Sequence, residues 1–202
     1  KNLIYASSSS VYGNNKELPF LEDHKTDRPV SVYGVSKKVN ELLAHSYSSL
    51  YDLQTIGLRF FTVYGPWGRP DMAYYIFTKS IMENKMIDLF NNGHYRRSFT
   101  YVDDVIRPIY RLINTVDDLS LNSYEIFNIG GNESIQIDRL VRIIENILNK
   151  KAKIALQSKE LGSMNDTDAD ISKLENIIGY SPEVGIEEGM KLFIDWYIKY
   201  YK

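Results

Sequence analysis

Tyr33-Gly34-Val35-Ser36-Lys37 places a phenol and an amine one helical turn apart, so both side chains leave the same face of a helix. An ammonium beside a phenol favours the phenolate and lowers a pKa that is ordinarily about 10. A phenolate can then take a proton from a substrate hydroxyl at neutral pH. Alone, the pair reads first as an ordinary Tyr–Lys couple on a solvated helix face. Upstream, Ser7-Ser8-Ser9-Ser10 follows a short apolar run, which puts hydroxyls at the carboxyl end of a strand, where open α/β sheets bind their ligands. By themselves four serines are a polar loop. Together with the tyrosine and lysine they favour the chemical reading: a hydroxyl bonded to the same substrate oxygen that the phenolate deprotonates.

The elements that must hold these residues follow from periodicity. Leu3 to Ala6 reads as a buried strand, and residues 12 to 30, with Gly13, Pro19 and Pro29, as a long irregular loop. Apolar residues at Val35, Val39, Leu42, Leu43, Tyr47 and Leu50 predict an amphipathic helix over 31–50. Gln54 to Phe61 predicts a second strand. One helix between two strands makes a crossover unit, and the right-handed rule makes the strands parallel. Residues 65–71, saturated with Gly and Pro, exclude helix and strand. Beyond them the pattern predicts helix from about Ala73 to Asn84, strand near Ile87 to Phe90, and a turn at Asn91-Asn92-Gly93. A helix over Val102 to Val116 follows, which Pro108 should force to start late or kink. Then come a strand from Tyr124 to Ile129, a helix from Ile137 to Leu148, a short strand from Lys153 to Leu156 and a closing helix from Ile186 to Tyr200. The order implies an α/β fold: part of a Rossmann-like doubly wound parallel sheet, with a smaller mixed α/β lobe grown from its loops. Residues 1–65 and 99–131 are expected in the first, 66–98 and 132–202 in the second.

Ala6-Ser7-Ser8-Ser9-Ser10-Val11-Tyr12-Gly13, then Tyr33 to Lys37, then Leu58 to Ala73, then Arg97-Ser98-Phe99-Thr100-Tyr101-Val102-Asp103-Asp104 and Phe127-Asn128-Ile129-Gly130 together resemble the extended short-chain dehydrogenase/reductase family over almost the whole chain. The resemblance implies Tyr33 as acid/base, Lys37 holding the nicotinamide ribose of NAD and tuning Tyr33, Ser8 as the catalytic hydroxyl, and Phe60 beside the cofactor. Dehydratases of the family carry Asp-Glu where this chain has Ser9 and Ser10, and decarboxylating members a Glu at Ser10. The implied reaction is therefore epimerisation at sugar C4 through a 4-keto intermediate, in which the cofactor does the hard chemistry. Gly65-Pro66-Trp67-Gly68-Arg69-Pro70-Asp71-Met72-Ala73 is similar to the UDP-glucuronate 4-epimerases. Arg69 is then expected to fork the sugar carboxylate, with Ser9, Ser10 and Thr62 as hydroxyl donors, although Arg69 can equally pair with Asp71. Arg97 matches the diphosphate-contacting arginine, or is a surface charge beside Arg96. Phe99 walls the nucleotide site, or is core. A UDP-glucose or UDP-N-acetylglucosamine 4-epimerase and a non-catalytic dimerising piece are the rival readings. Relatives pair the Tyr–Lys helix across a two-fold axis, which implies a homodimer through the helix 32–51.

Composition narrows the classes. A net charge of −2 and the absence of any basic cluster larger than a pair give no case for nucleic acid or an anionic membrane. The lack of cysteine excludes disulfides, thiolate metal sites and a Cys nucleophile, and suits a cytoplasmic protein. No metal ligands are assigned. No apolar run approaches the ~20 residues that span a bilayer. The chain opens directly in a core strand and lacks the glycine-rich turn that seats a cofactor pyrophosphate. A piece without its N-terminal part is expected, one that alone binds NAD feebly and is inactive. The segment Glu160-Leu161-Gly162-Ser163-Met164 departs from the family's pattern, with a glutamate where a diphosphate would be repelled.

Overall fold

The computed structural model describes residues 1–116, 119, 121–131, 133–158 and 166–201; the departing segment 160–164 lies outside them. Strand β1 (Asn2–Ser8) runs two residues past the expected edge, through the first serines, before a 3-10 turn at Ser9–Tyr12. Helix α1 (Val32–Tyr51) is capped by Ser31, whose hydroxyl accepts from Gly34 N, satisfying one of the amides that a helix start leaves unpaired. It returns the chain to β2 (Gln54–Phe60). One residue later β3 (Thr62–Tyr64) begins. The breaker-rich loop then leads to α2 (Ala73–Met82) and β4 (Met86–Phe90).

Strand β5 (Arg96–Tyr101) feeds α3 (Val102–Thr115). The expected late start does not occur: α3 begins at Val102 and carries Pro108 inside it. The proline leaves the Asp104 carbonyl without its helical donor, while the buried Asp104 carboxylate accepts from Tyr180 Oη and from the amides of Glu183 and Val184, so this turn is tied from outside. The remaining elements are β6 (Tyr124–Ile129), β7 (Ser134–Gln136), α4 (Ile137–Leu148), β8 (Lys153–Gln157), α5 (Ser172–Ile178) and α6 (Ile186–Tyr201).

Strands β1, β2 and β6 form a parallel sheet in that order. The register aligns Ser8, Phe60 and Ile129 across its carboxyl end. A second sheet, β3-β5-β7, pairs Thr62 with Phe99, and a third joins β4 to β8. Ile56, Leu58, Val105, Leu112, Phe127, Ile129 and Leu174 form one buried core. A larger one gathers Tyr64, Phe77, Ile87, Phe99, Leu140, Ile144, Met190 and Phe193. The two interleave along the chain: β5 gives Phe99 and Tyr101 to the larger core, and α5 gives Leu174 to the smaller. The long loop after Gly13 is fixed at Phe20, whose amide donates to Asp168 O while its carbonyl accepts from Asp170 N. A single bridge to Ala169 results.

Candidate active site

Two glycines let the chemistry-bearing segments meet. A Cβ on Gly34 would lie 2.7 Å from the Ser10 carbonyl oxygen, so the first turn of α1 rests directly on the serine turn. Gly13 closes that turn at a φ of 59°, a conformation glycine adopts at little cost. Lys37 Nζ donates to the Ala6 carbonyl at 3.1 Å, which fastens α1 to β1 just ahead of Ser7 and Ser8. The same ammonium lies 5.6 Å from the centre of the Tyr33 ring. Tyr33 is 53% exposed, and among the described residues its hydroxyl has no hydrogen-bond partner. Ser8 is buried; its Oγ accepts from Ser10 N and donates to Ser10 Oγ, both at 3.2 Å. Ser9 and Ser10 sit half-buried in the 3-10 turn, and Phe60 is half-buried beside Ser8 in register.

Thr62, Arg97 and Phe99 come together elsewhere, lining a cavity of about 200 Å³ with Met72, Leu89 and Tyr95. The Arg97 guanidinium lies 5.4 Å from the Tyr95 ring and donates to the Arg96 carbonyl. One strand links the two clusters, because Phe60 and Thr62 flank Phe61 where β2 passes into β3. Arg69 joins neither cluster. Its guanidinium holds both carboxylate oxygens of Asp71, and the two side chains are 73% and 61% exposed. The Asp71 carboxylate raises the Arg69 pKa and is itself held below the usual carboxylate range by the arginine.

Beneath the serine turn lies a buried network that the motifs do not announce. Glu41, one turn beyond Lys37, accepts from Ser7 Oγ at 2.7 Å and from Arg59 Nε and Nη2 at 2.8 and 3.1 Å, and takes a further bond from Lys38. Arg59 Nη1 continues to Tyr12 Oη and to the Glu22 carbonyl, each at 2.9 Å. Tyr12 Oη donates to Asn128 Oδ1 at 2.7 Å. Burial opposes the Glu41 charge, but the hydrogen bonds and attraction of Arg59, with Ser7 and Lys38, outweigh it and hold the carboxyl below its ordinary range. Burial pushes the Tyr12 phenol up to about 12 against the pull of Arg59, so it stays protonated and donates. Burial likewise raises the Glu22 carboxyl, although it accepts from Asn128 N. Thus β1, α1, β2 and β6 are cross-tied under the strand ends by charge rather than by apolar contact. One signal for this was present: an arginine within a buried strand requires a partner.

Among the described residues no group of three or more His, Asp or Glu is placed to hold a metal ion, and no helix is long and apolar enough to cross a membrane.

Residues 1–130 match the family described as NAD dependent epimerase/dehydratase. Protein CapI of Staphylococcus aureus is 45% identical over the whole chain, which covers 64% of that protein. UDP-glucuronate 4-epimerase 4 of Arabidopsis thaliana is 42% identical over 98% of the chain, which covers 48% of its length. Among solved structures, UDP-glucuronic acid 4-epimerase from Bacillus cereus, in complex with UDP-glucuronic acid and NAD, superposes with a TM-score of 0.92 at 36% identity. That match takes in all of this chain and 62% of the other. The chain thus spans about half to two-thirds of the length of such relatives.

Proposed function

The chain belongs to the NAD dependent epimerase/dehydratase family, and from that premise we propose that the whole protein is an NAD-dependent nucleotide-sugar 4-epimerase acting on UDP-glucuronate. The observation that carries the reading is the Lys37–Ala6 bond, which docks the Tyr–Lys helix on the strand that ends in Ser8. The relatives whose names state UDP-glucuronate 4-epimerase supply the substrate.

The residues fit the nicotinamide end of the cofactor. Lys37 spends one N–H on Ala6 and keeps two for ribose hydroxyls, Tyr33 is open beside it, and Phe60 offers an apolar edge. When bound, NAD supplies the hydride acceptor and donor for sugar C4. The chain's own share is proton handling and alignment. Tyr33 Oη takes the proton of the 4-hydroxyl and later returns it. Ser8 Oγ, held by the bond it accepts from Ser10 N, turns its proton from Ser10 Oγ to donate to the same oxygen. Thr62, Arg97 and Phe99 line the cavity for the nucleotide, with Arg97 directed to the diphosphate. Arg69, with Ser9, Ser10 and Thr62, receives the carboxylate. Residues 1–65 and 99–131 form the cofactor side, lending Ser8, Ser9, Ser10, Thr62 and Phe99 to the substrate, and 66–98 with 132–202 form the nucleotide-sugar lobe.

Tyr33→Phe in the whole protein is expected to lower turnover about 10²–10⁴-fold, the range for a positioned acid/base, read as the appearance of the C4 epimer by proton NMR. Undiminished turnover would remove Tyr33 from the chemistry and the reading with it. One observation favours a second substrate, UDP-glucose: the Arg69 fork already holds Asp71, and a neutral sugar does not need it released.

A further inference from the structure

We propose that Trp67, clasped by Trp196 and Tyr200 of α6, is the positioning residue that sets the 65–71 loop, and with it Arg69, to select a sugar nucleotide bearing a carboxylate. The proposal rests on the role given to Arg69 above and adds what places it.

The loop lacks regular structure, and its conformation is set at a few points. Gly65 and Gly68 lie where a side chain has no room: a Cβ would meet Val102 Cγ1 at 2.8 Å in the first case and Tyr74 Oη at 1.7 Å in the second. Between them stands Trp67 at a φ of 62°, the left-handed region in which a bulky residue is an outlier that its surroundings must enforce. Burial does not enforce it, because Trp67 is 72% exposed. Ring contacts do: its indole lies 5.3 Å from Trp196 and 4.9 Å from Tyr200, centre to centre. Those two rings, one turn apart on α6, stack on each other at 5.3 Å and 19°, a geometry that stabilises beyond the area it buries. Phe193 and Tyr197, on the neighbouring part of the same face of α6, are buried in the larger core, and the Phe193 ring lies 5.8 Å from that of Trp196, so the platform is rigid. Arg69 follows two residues later, exposed and paired only within its own loop. Where its fork points therefore depends on how the loop is anchored: Tyr74 below Gly68, and the aromatic clasp at Trp67. A loop displaced by an ångström carries a bidentate arginine out of register with a carboxylate.

Trp67 and Trp196 are the only two tryptophans in the sequence, which makes the clasp directly readable. Calorimetric titrations of the wild-type chain, Trp196→Ala and Trp196→Phe with UDP-glucuronate, UDP-glucose and UDP separate the terms. In parallel, acrylamide quenching of Trp67 in the Trp196 variants reports whether the loop is seated. The wild type is expected to prefer the acid. Trp196→Ala should lose about tenfold of that preference while UDP affinity stays within about twofold, and Trp196→Phe should restore most of it. Trp67→Ala, which removes an exposed ring and does not threaten the core, carries the same expectation. An unchanged preference in Trp196→Ala and Trp67→Ala, or an equal loss for all three ligands, overturns the clasp. A wild type with no preference for the acid overturns the role of Arg69 instead, and the proposal falls with it; the two failures are told apart by the wild-type titrations alone.

Discussion

Helices α1 and α6 are both flanked by large apolar residues, yet they are held in opposite ways. Of the twenty residues of α1, only Gly34, Glu41, Ala44 and Ser48 are buried, while Val32, Val35, Val39, Leu42, Leu43, Tyr47, Leu50 and Tyr51 face outward. Its grip on the sheet is small residues and charge: Gly34 on the Ser10 carbonyl, Glu41 on Ser7 and Arg59, Lys37 on Ala6. Helix α6 buries Ile186, Met190, Phe193, Ile194 and Tyr197 and is held by aromatic packing against Tyr74 and Tyr75. The helix proposed to present Tyr33 and Lys37 to substrate is aligned by directional bonds, which fix rotation and translation together. A helix whose face is buried in a core can rely on non-directional burial.

The comparison is broken most directly by removing one side chain from each grip. Phe193→Ala is expected to cost about 3–5 kcal/mol as lost transfer and an unfilled cavity. Glu41→Ala should cost about 3–5 kcal/mol by stranding a buried guanidinium. The second site differs in kind: Glu41→Leu combined with Arg59→Met should recover at least half of that loss, since a buried ion pair is often matched by apolar residues. Urea unfolding of the set decides it, and a double variant no more stable than Glu41→Ala would show that α1 is held by something other than this pair.

Acid sharpens the same contrast. The Glu41 carboxyl is depressed in the fold, so its contribution is present above the unfolded value of about 4.3 and is lost as pH falls through the folded one. Glu22 is raised, so it acts in the opposite sense, costing stability as pH climbs through its unfolded range. Glu41→Gln should therefore flatten the loss of stability on acidification below about pH 4.3, whereas Phe193→Ala should shift the whole curve without changing its slope. An unchanged acid slope in Glu41→Gln would count against the network.

The smallest effect on the fold is expected on the outer face of α1. Leu43→Ser combined with Leu50→Ser should alter the unfolding free energy of the isolated chain by no more than about 0.5 kcal/mol. If the exposed apolar stripe pairs with a second copy, the same substitutions turn a dimer into a monomer in sedimentation equilibrium. A wild type that stays monomeric at high concentration would retire the proposed homodimer.

What was legible in the sequence follows the same division. Tyr124–Ile129 and Ile137–Leu148 were readable to the residue because each shows a full period bounded by breakers. Strands β3 and β7 have three residues apiece, too few to show a period, and exist because β5 lies between them. Strand β5 itself opens with two arginines and a serine, which carry no apolar alternation; it is held by Ser98 N donating to Thr167 Oγ1 and by Arg96 donating to the Ser134 carbonyl. At the site, Ser8 was singled out among the four serines by the family resemblance alone. Tyr33 and Lys37 could be picked out by spacing, and the serines by their place at a strand end. The Glu41–Arg59 pair could not, because the two residues belong to different elements and only the packed helix joins them. For Arg69 the sequence left a carboxylate substrate and Asp71 as partners; the structure shows the Asp71 pair, and the substrate carboxylate stays a proposal.

The bridge from Phe20 to Ala169 sets an order of events during synthesis. Phe20 leaves the ribosome well ahead of Ala169, with most of the described chain made between them. Contacts of such separation form late, after the entropy of closing the intervening chain has been met. The corner containing Tyr12, Phe20 and Phe61 must therefore wait, its aromatic rings open to chaperones and proteases, until the segment around Ala169 has been made.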